Sequence, residues 1–481
     1  MEANRRRFLQ AAVVSEALAR YRPALGAAPV HGASGTGAAA DYLEPARQAA
    51  AWIRTSAIKQ SAGIAWPSEP DKPETVGPDI YKGNAGTLIF FLELARASKD
   101  TFYAEEAQRA ADYVIDRAVG IQGSGFNHEG LAGAAWAILQ TWEATREARY
   151  RNAAVAATET LAKRAQAAGT GVTWGPAADI SSGDAGIVSY LLNAARTFDR
   201  DDWRQLARRA GSHLREMASK DAGGNLYWSA TPNARIVMPN FAHGTSGVAT
   251  VLAQLYSETR EQEYLDAALS GAAHLKSIAH SDRDTFILYH HDPDGRDLYY
   301  LGQCNGPAGS ARLFYELYRN TKDKSWLDIT ERAAGAILKS GIPEQQKDSY
   351  PQIPLRVEYS VRPGHLPGFW NNISQCCGAA GIAEFFLSLH QATGKQEYQD
   401  FARRALDNVV SRAFSDDQGY RWYQSEFRIQ PWIVAAQTGY MQGAAGVGSA
   451  LLHLHTALEN QYHAVLFPYN PFPRDAAQVK A

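Results

Sequence analysis

Gln303-Cys304-Asn305-Gly306-Pro307-Ala308-Gly309 and Gln375-Cys376-Cys377-Gly378-Ala379-Ala380-Gly381 are two copies of one pattern, a short polar turn closing on Gly-x-x-Gly. The same glycine pair recurs as Gly83/Gly86, Gly130/Gly133, Gly183/Gly186, Gly244/Gly247 and Gly443/Gly446, at intervals of 47, 53, 61, 62, 72 and 65 residues along the chain. Each pair is followed by a run that is apolar almost all round, over 87–97, 131–142, 187–195, 248–256, 310–318, 382–389 and 447–454. A helix apolar on every side belongs in an interior.

The segments ahead of the glycine pairs read differently. In 102–118, Tyr103, Ala107, Ala110, Val114 and Ala118 recur at steps of three and four, with Glu105, Glu106, Arg109, Asp112 and Asp116 between them. This is the pattern of a half-exposed helix. It repeats in 42–57, 151–165, 202–218, 263–278, 325–338 and 397–410. Seven buried helices alternating with seven amphipathic ones close most simply into an all-α, (α/α)7 toroid, a double ring with loop insertions between repeats. The first glycine of each pair is then expected to take positive φ at the turn into the inner helix, and the second to let backbones approach closely. The domain spans 41–481, and 1–40 form an extension.

Composition narrows the function. The chain has 481 residues, a formal net charge of −2 and 45% hydrophobic residues, which suits a large buried core. It lacks the basic stripe that phosphate binding requires, so nucleic acid is not expected. No apolar run reaches the about 18 residues of a membrane span. Asn4-Arg5-Arg6-Arg7-Phe8-Leu9 matches a twin-arginine export signal, with Leu25-Gly26-Ala27-Ala28 as a cleavage region, but Glu16, Arg20 and Arg22 interrupt the stretch between them. Export through Arg5 and Arg6 and a cytoplasmic location both stand as expectations.

All three cysteines of the chain, Cys304, Cys376 and Cys377, lie one or two positions before a glycine pair. An odd count with one adjacent pair argues against a disulfide framework. Three soft ligands converging at helix N-termini suit a Zn2+ site with its fourth position open to an incoming ligand. A zinc closed by His243 and cysteines without metal are the alternatives. His243 precedes the fourth pair and Asp179 lies four residues ahead of the third, so an acid/base group and its orienting carboxylate come from the same arc. His128 reads as structural, and Asp184 as a first-turn residue satisfying the helix dipole. Trp66, Trp174, Trp228, Trp370 and Trp422 anchor the connecting loops, mostly as wedges between repeats, and the Pro- and aromatic-rich 467–473 reads as a closing strap.

These motifs resemble the lanthionine synthetase C-like family from about Tyr42 to the carboxyl terminus: seven glycine-pair repeats, His-Gly-x-x-Gly at His243, Cys-x-Gly-x-x-Gly at Cys304, a two-ligand motif before Gly378, and Asp179-Ile180-Ser181-Ser182-Gly183. The resemblance implies a zinc-dependent cyclase that adds a cysteine thiol to dehydroalanine or dehydrobutyrine, forming a thioether. It implies Cys304, Cys376 and Cys377 as metal ligands, His243 as acid/base and Asp179 as its support, with a peptide or small-molecule thiol as substrate. Two positions depart from the family pattern. Cys377 stands where histidine is usual, which is expected to make bound sulfur more nucleophilic, and Gln303 stands where tryptophan is usual, on a wall of the pocket. Two rival functions follow from the same toroid: a carbohydrate-active enzyme using carboxylates such as Glu129, Asp179 and Asp292, and a zinc-bearing scaffold without catalysis.

Overall fold

The computed structural model describes residues 41–128, 130–344, 368–427 and 433–475. The extension 1–40, with its export motif, and the side chain of Trp370 lie outside the described residues. Among the described residues, fourteen α-helices alternate between two rings. The inner ring is α2 (Asn84–Ser98), α4 (Leu131–Thr145), α6 (Asp184–Phe198), α8 (Thr245–Thr259), α10 (Pro307–Thr321), α12 (Ala379–Thr393) and α14 (Ala444–Leu458), each of 15 residues. The outer ring is α1 (Leu43–Thr55), α3 (Thr101–Ala118), α5 (Ala148–Lys163), α7 (Asp201–Glu216), α9 (Gln262–Ile278), α11 (Lys324–Lys339) and α13 (Gln396–Ser411). Inner helices are buried along most of their length, as α2 is from Asn84 to Leu94. Outer helices bury alanine-rich faces, such as Ala107, Ala110 and Ala111 in α3, which let the two rings approach closely.

The tight pairing runs from each inner helix to the outer helix after it. A left-handed residue ends each of the first six inner helices, Lys99, Arg146, Asp199, Arg260, Lys322 and Gly394, and the chain reverses at once. The last inner helix, α14, has no such successor and packs on α1, so the two ends of the chain's helical array close the ring.

Long connections therefore all lie between an outer helix and the next inner helix, at the end where inner helices begin. The all-α expectation needs one addition there: short two-stranded pairs, such as Gln166–Ala168 with Gly171–Thr173 and Phe414–Asp416 with Gly419–Arg421, are built into these connections. Trp174, Trp228 and Trp422 are wedges, as expected. Trp174, Trp228 and Trp422 donate indole N–H to the carbonyls of Leu161, Leu214 and Val409 near the ends of the preceding outer helices. Their loops are pinned to the inner ring too, since Asn84, Asp184 and Thr245 at the first helical positions accept from the amides of Trp66, Trp174 and Trp228. Asp184 is thus a first-turn residue with a structural job; burial pushes its carboxyl up to about 6.

The expected role of the first glycine is not what is observed. All seven take extended φ, from −91° at Gly83 to −150° at Gly244. Space, not handedness, selects glycine: a Cβ at Gly306 would lie 2.5 Å from the Tyr300 carbonyl oxygen, and one at Gly309 would lie 1.8 Å from that of Gln303. Loop backbone folds back over the helix start, and its carbonyls take the first helical amides. Asn84 donates to Gly77, Asp184 to Ala177, Ala379 to Asn372 and Ala444 to Gln437, each seven residues back. This replaces side-chain caps for the orphan amides of a helix N-terminus.

The carboxyl-terminal segment does more than strap the ring. Phe467, Tyr469 and Phe472 are buried. Phe467 packs on Trp136 and Tyr440, Tyr469 on Phe126 and Phe241, and Phe472 on Tyr315 and Phe385. Three aromatic side chains thus touch residues from five repeats and fill the bore. Each such burial is worth roughly 1.5–3 kcal/mol.

Candidate metal centre

Backbone hydrogen bonds join the seven turns into a belt. Asn127 N–H donates to Ser181 O (2.8 Å), Ser181 to Ala242 (3.3 Å), Ala242 to Cys304 (2.7 Å), Cys304 to Cys376 (3.1 Å), Cys376 to Met441 (2.9 Å) and Met441 to Tyr81 (2.9 Å). Between Tyr81 and Asn127 the step is spanned by the Tyr81 ring against the His128 ring, with centroids 4.1 Å apart. Cys304 and Cys376 are consecutive members of this belt, which is why residues 72 apart in sequence share one site. Glycine makes the approach possible at Gly302, where a Cβ would sit 2.6 Å from the Cα of Cys377. The turn carrying Cys377 is held by Ser374, whose hydroxyl accepts from the Cys377 amide and donates to Asn372.

The three thiols converge. Cys304 and Cys377 Sγ are 3.0 Å apart, Cys377 and Cys376 Sγ 3.4 Å, and all three side chains are buried and free of disulfides. Their ligand atoms lie within 4.8 Å of one another, so the group is disposed to hold one metal ion. Hydrogen bonds among the sulfurs, with burial, push Cys304 and Cys377 up, whereas Cys376 is held down by receiving them. Three buried sulfurs converging on one point are a donor set that suits a soft dication. Tyr81, the belt residue of the first repeat, points its hydroxyl at Cys376 Sγ (3.4 Å) and accepts from Gln442 Nε2 (2.8 Å). Sequence reasoning missed Tyr81, although it occupies the position two before the first glycine, as Cys304 and Cys376 do.

His243 stands outside the thiol group. Its Nδ1 lies 2.9 Å from Asp179 Oδ2, and about a third of its side chain is open to the mouth. Asp179 Oδ1 accepts from the amides of Ser182 and Gly183 at 2.7 and 3.0 Å, which fixes the carboxylate before it meets the imidazole. Burial disfavours a charged His243, but the hydrogen bond and charge of Asp179, helped by Cys376, outweigh it and raise the imidazole above its ordinary value. His243 is held by Asp179 and is not among the residues whose ligand atoms converge with the thiols.

Gln303 does not line the pocket. Its amide is buried, donating to Gln375 O at 2.6 Å and accepting from the buried Arg312 guanidinium at 2.7 Å. Gln375 in turn donates to Glu384 at 3.1 Å. This network braces the residues immediately before Cys304 and Cys376, so Gln303 acts on the site from beneath. Of the carboxylates a glycosidase would enlist, Asp179 is engaged by His243 and Asp292 by Arg296 at 2.8 and 2.9 Å, and Glu129 lies outside the described residues. A cavity of about 680 Å³ lined by Asp41, Arg96, His455 and His463 opens at the opposite end of the ring and takes no part in the thiol site. Among the described residues, no helix is long and apolar enough to cross a membrane.

A double ring of seven helix pairs with a cluster of thiols at the mouth defines an (α/α)7 toroid. The chain belongs to the lanthionine synthetase C-like protein family, which matches residues 36–169, 74–350 and 365–467. No curated protein matches by sequence. Among solved structures, nisin cyclase is similar at 14% identity, with a TM-score of 0.57 over 86% of this chain and 92% of that one, which shows the shared fold. An α-1,6-mannanase from Salegentibacter sp. is similar at 11% identity, with a TM-score of 0.48 over 87% and 99%. An unsaturated glucuronyl hydrolase specific for heparin is similar at 14% identity, with a TM-score of 0.45 over 87% and 98%.

Proposed function

We propose that the chain is a zinc-dependent, thioether-forming cyclase-like enzyme whose substrate is a peptide bearing a cysteine thiol and a dehydroamino acid. The observation that carries this reading is the convergence of Cys304, Cys376 and Cys377 on one point, with the His243–Asp179 pair beside it. Cys304, Cys376 and Cys377 would hold the zinc. When bound, the ion supplies positive charge that favours the thiolate form of an incoming thiol.

The chain's own residues do the rest. Tyr81 and Gln442 fix one side of the thiol site through the hydroxyl directed at Cys376. Addition of sulfur to the β-carbon leaves negative charge on the α-carbon and its carbonyl, and His243 would deliver a proton there. Asp179 fixes the ring orientation and stabilises the imidazolium. The family match and the nisin cyclase fold support this reaction class.

Purified protein should contain about one zinc ion per chain, as a single three-ligand site requires. A peptide with dehydroalanine and a free cysteine should cyclise faster with the protein than without it. His243→Ala should slow the reaction about 100-fold, in the usual range for loss of a general acid, and leave zinc bound. Equal rates with and without protein would overturn the proposal.

A further inference from the structure

Counting back from the first glycine puts Glu129 at the place that His243 holds in the fourth repeat, but the belt gives a different alignment. In repeats one, three, four, five, six and seven the belt residue lies two before the first glycine: Tyr81, Ser181, Ala242, Cys304, Cys376 and Met441. In repeat two it is Asn127, three before Gly130. The helix-start bond shifts by the same amount: Leu131 N–H reaches Gly123 O, eight residues back, where its counterparts reach seven. Two independent hydrogen bonds thus place one extra residue ahead of Gly130. Realigned, the residue just after the belt is His128 in repeat two, His243 in repeat four and Cys377 in repeat six.

His128 is exposed, and its ring lies on Tyr81, whose hydroxyl meets Cys376. We propose that His128 is the group that takes the proton from the incoming thiol, with His243, two belt steps further on, returning a proton to the α-carbon. This assignment rests on the thiol-addition reading above. The S–H bond breaks with its electron pair left on sulfur and its proton on an imidazole nitrogen of His128. The C–S bond forms as the carbon–carbon π pair moves to the α-carbon and its carbonyl. His243 protonates that carbon, then regains a proton from solvent as His128 gives one up, so the cycle is balanced.

The surroundings of the two imidazoles differ in the direction these roles require. Desolvation by the surrounding protein pushes His128 below its ordinary value although part of its side chain is exposed, and the neighbouring His243 adds to this; Cys376 and Asp79 oppose it, and Lys82 reinforces it. Tyr81 is the ring packed against it, and burial keeps that phenol protonated. His243 carries the carboxylate partner and is raised. Two titratable groups whose environments drive them apart are the usual mark of a base and an acid in one site.

The test uses zinc-loaded protein with histidines labelled by 15N. Adding N-acetylcysteine methyl ester at pH 7.5 should convert His128 from neutral imidazole to imidazolium, identified by loss of its signal in His128→Gln. The same variant should keep its zinc and melting temperature, lose at least about tenfold in kcat/KM for thioether formation near pH 6.5, and approach wild type as pH rises and thiols ionise unaided. His128→Ala should behave alike. A His128 that stays neutral with the thiol present overturns the proposal, as does a wild-type pH profile in both variants. If wild type forms no thioether, the cyclase reading fails, and the thiol-dependent protonation of His128 still decides this one.

Discussion

The turns of repeats five and seven have the same backbone and carry different side chains. Cys304 donates its amide to the next belt residue, Cys376, and Met441 donates to Tyr81 in the same way. Gly302 leaves room for Cys377, where a Cβ would approach to 2.6 Å, and Gly439 leaves room for Lys82 at 2.7 Å. A Cβ at Gly309 or at Gly446 would come within 1.8 Å of a carbonyl oxygen, that of Gln303 or Tyr440. Yet one turn brings a thiol to the cysteine cluster, and the other buries a thioether in the hydrophobic core. Because the belt is made of N–H and C=O groups, it is indifferent to the side chain it carries, so chemistry can be placed on chosen repeats without altering the ring.

That equivalence can be broken or sharpened by experiment. The largest contrast is expected between Cys304→Ala and Met441→Ala. The first should lose metal and thioether formation together, whereas the second should keep about one zinc per chain, as the three-cysteine site requires, and lose about 2–5 kcal/mol of stability through the cavity it leaves. Metal analysis and urea titration read both; retention of full metal by Cys304→Ala would end the three-thiol reading. Next, Gly309→Ala and Gly446→Ala should destabilise alike, each by about 3 kcal/mol or more, since both drive a Cβ into backbone. A loss confined to one of them would show that the turns are not equivalent.

The smallest effect concerns Asp179→Asn. His243 is raised in the folded protein, so its pairing stabilises the fold fully below the unfolded imidazole value and this contribution fades as pH rises through the folded value. The asparagine variant should lose that increment, giving a lower His243 titration midpoint by NMR and less difference in urea midpoint between acid and neutral pH. An unchanged His243 midpoint would show that Asp179 does not set its protonation.

Helix positions were legible because their causes are local. Tyr103, Ala107, Ala110, Val114 and Ala118 follow the turn of a helix, and α3 buries Ala107, Ala110, Val114 and Ala118. The thiols were legible for a similar reason, since Cys304 and Cys376 share a sequence offset from glycines that are themselves conspicuous. Tyr81 and His128 were not. Tyr81 shares that offset but looks like an ordinary core aromatic, and His128 is displaced by one residue, which counting from Gly130 cannot reveal. The role of Gln303 was misplaced because its partners, Arg312 and Gln375, lie 9 and 72 residues away.

By itself the sequence determined fourteen helices, their division into buried and half-exposed, and the presence of three thiols, His243 and Asp179 at helix entrances. Local periodicity and steric demand for glycine suffice for that. Tertiary structure decided how the turns register against one another, which sends Phe467, Tyr469 and Phe472 into the bore and sets His128 in line with His243. Those outcomes depend on hydrogen bonds and packing between segments far apart in the chain, as in the Met441-to-Tyr81 bond that spans almost the whole domain. Such contacts exist only once the ring has closed.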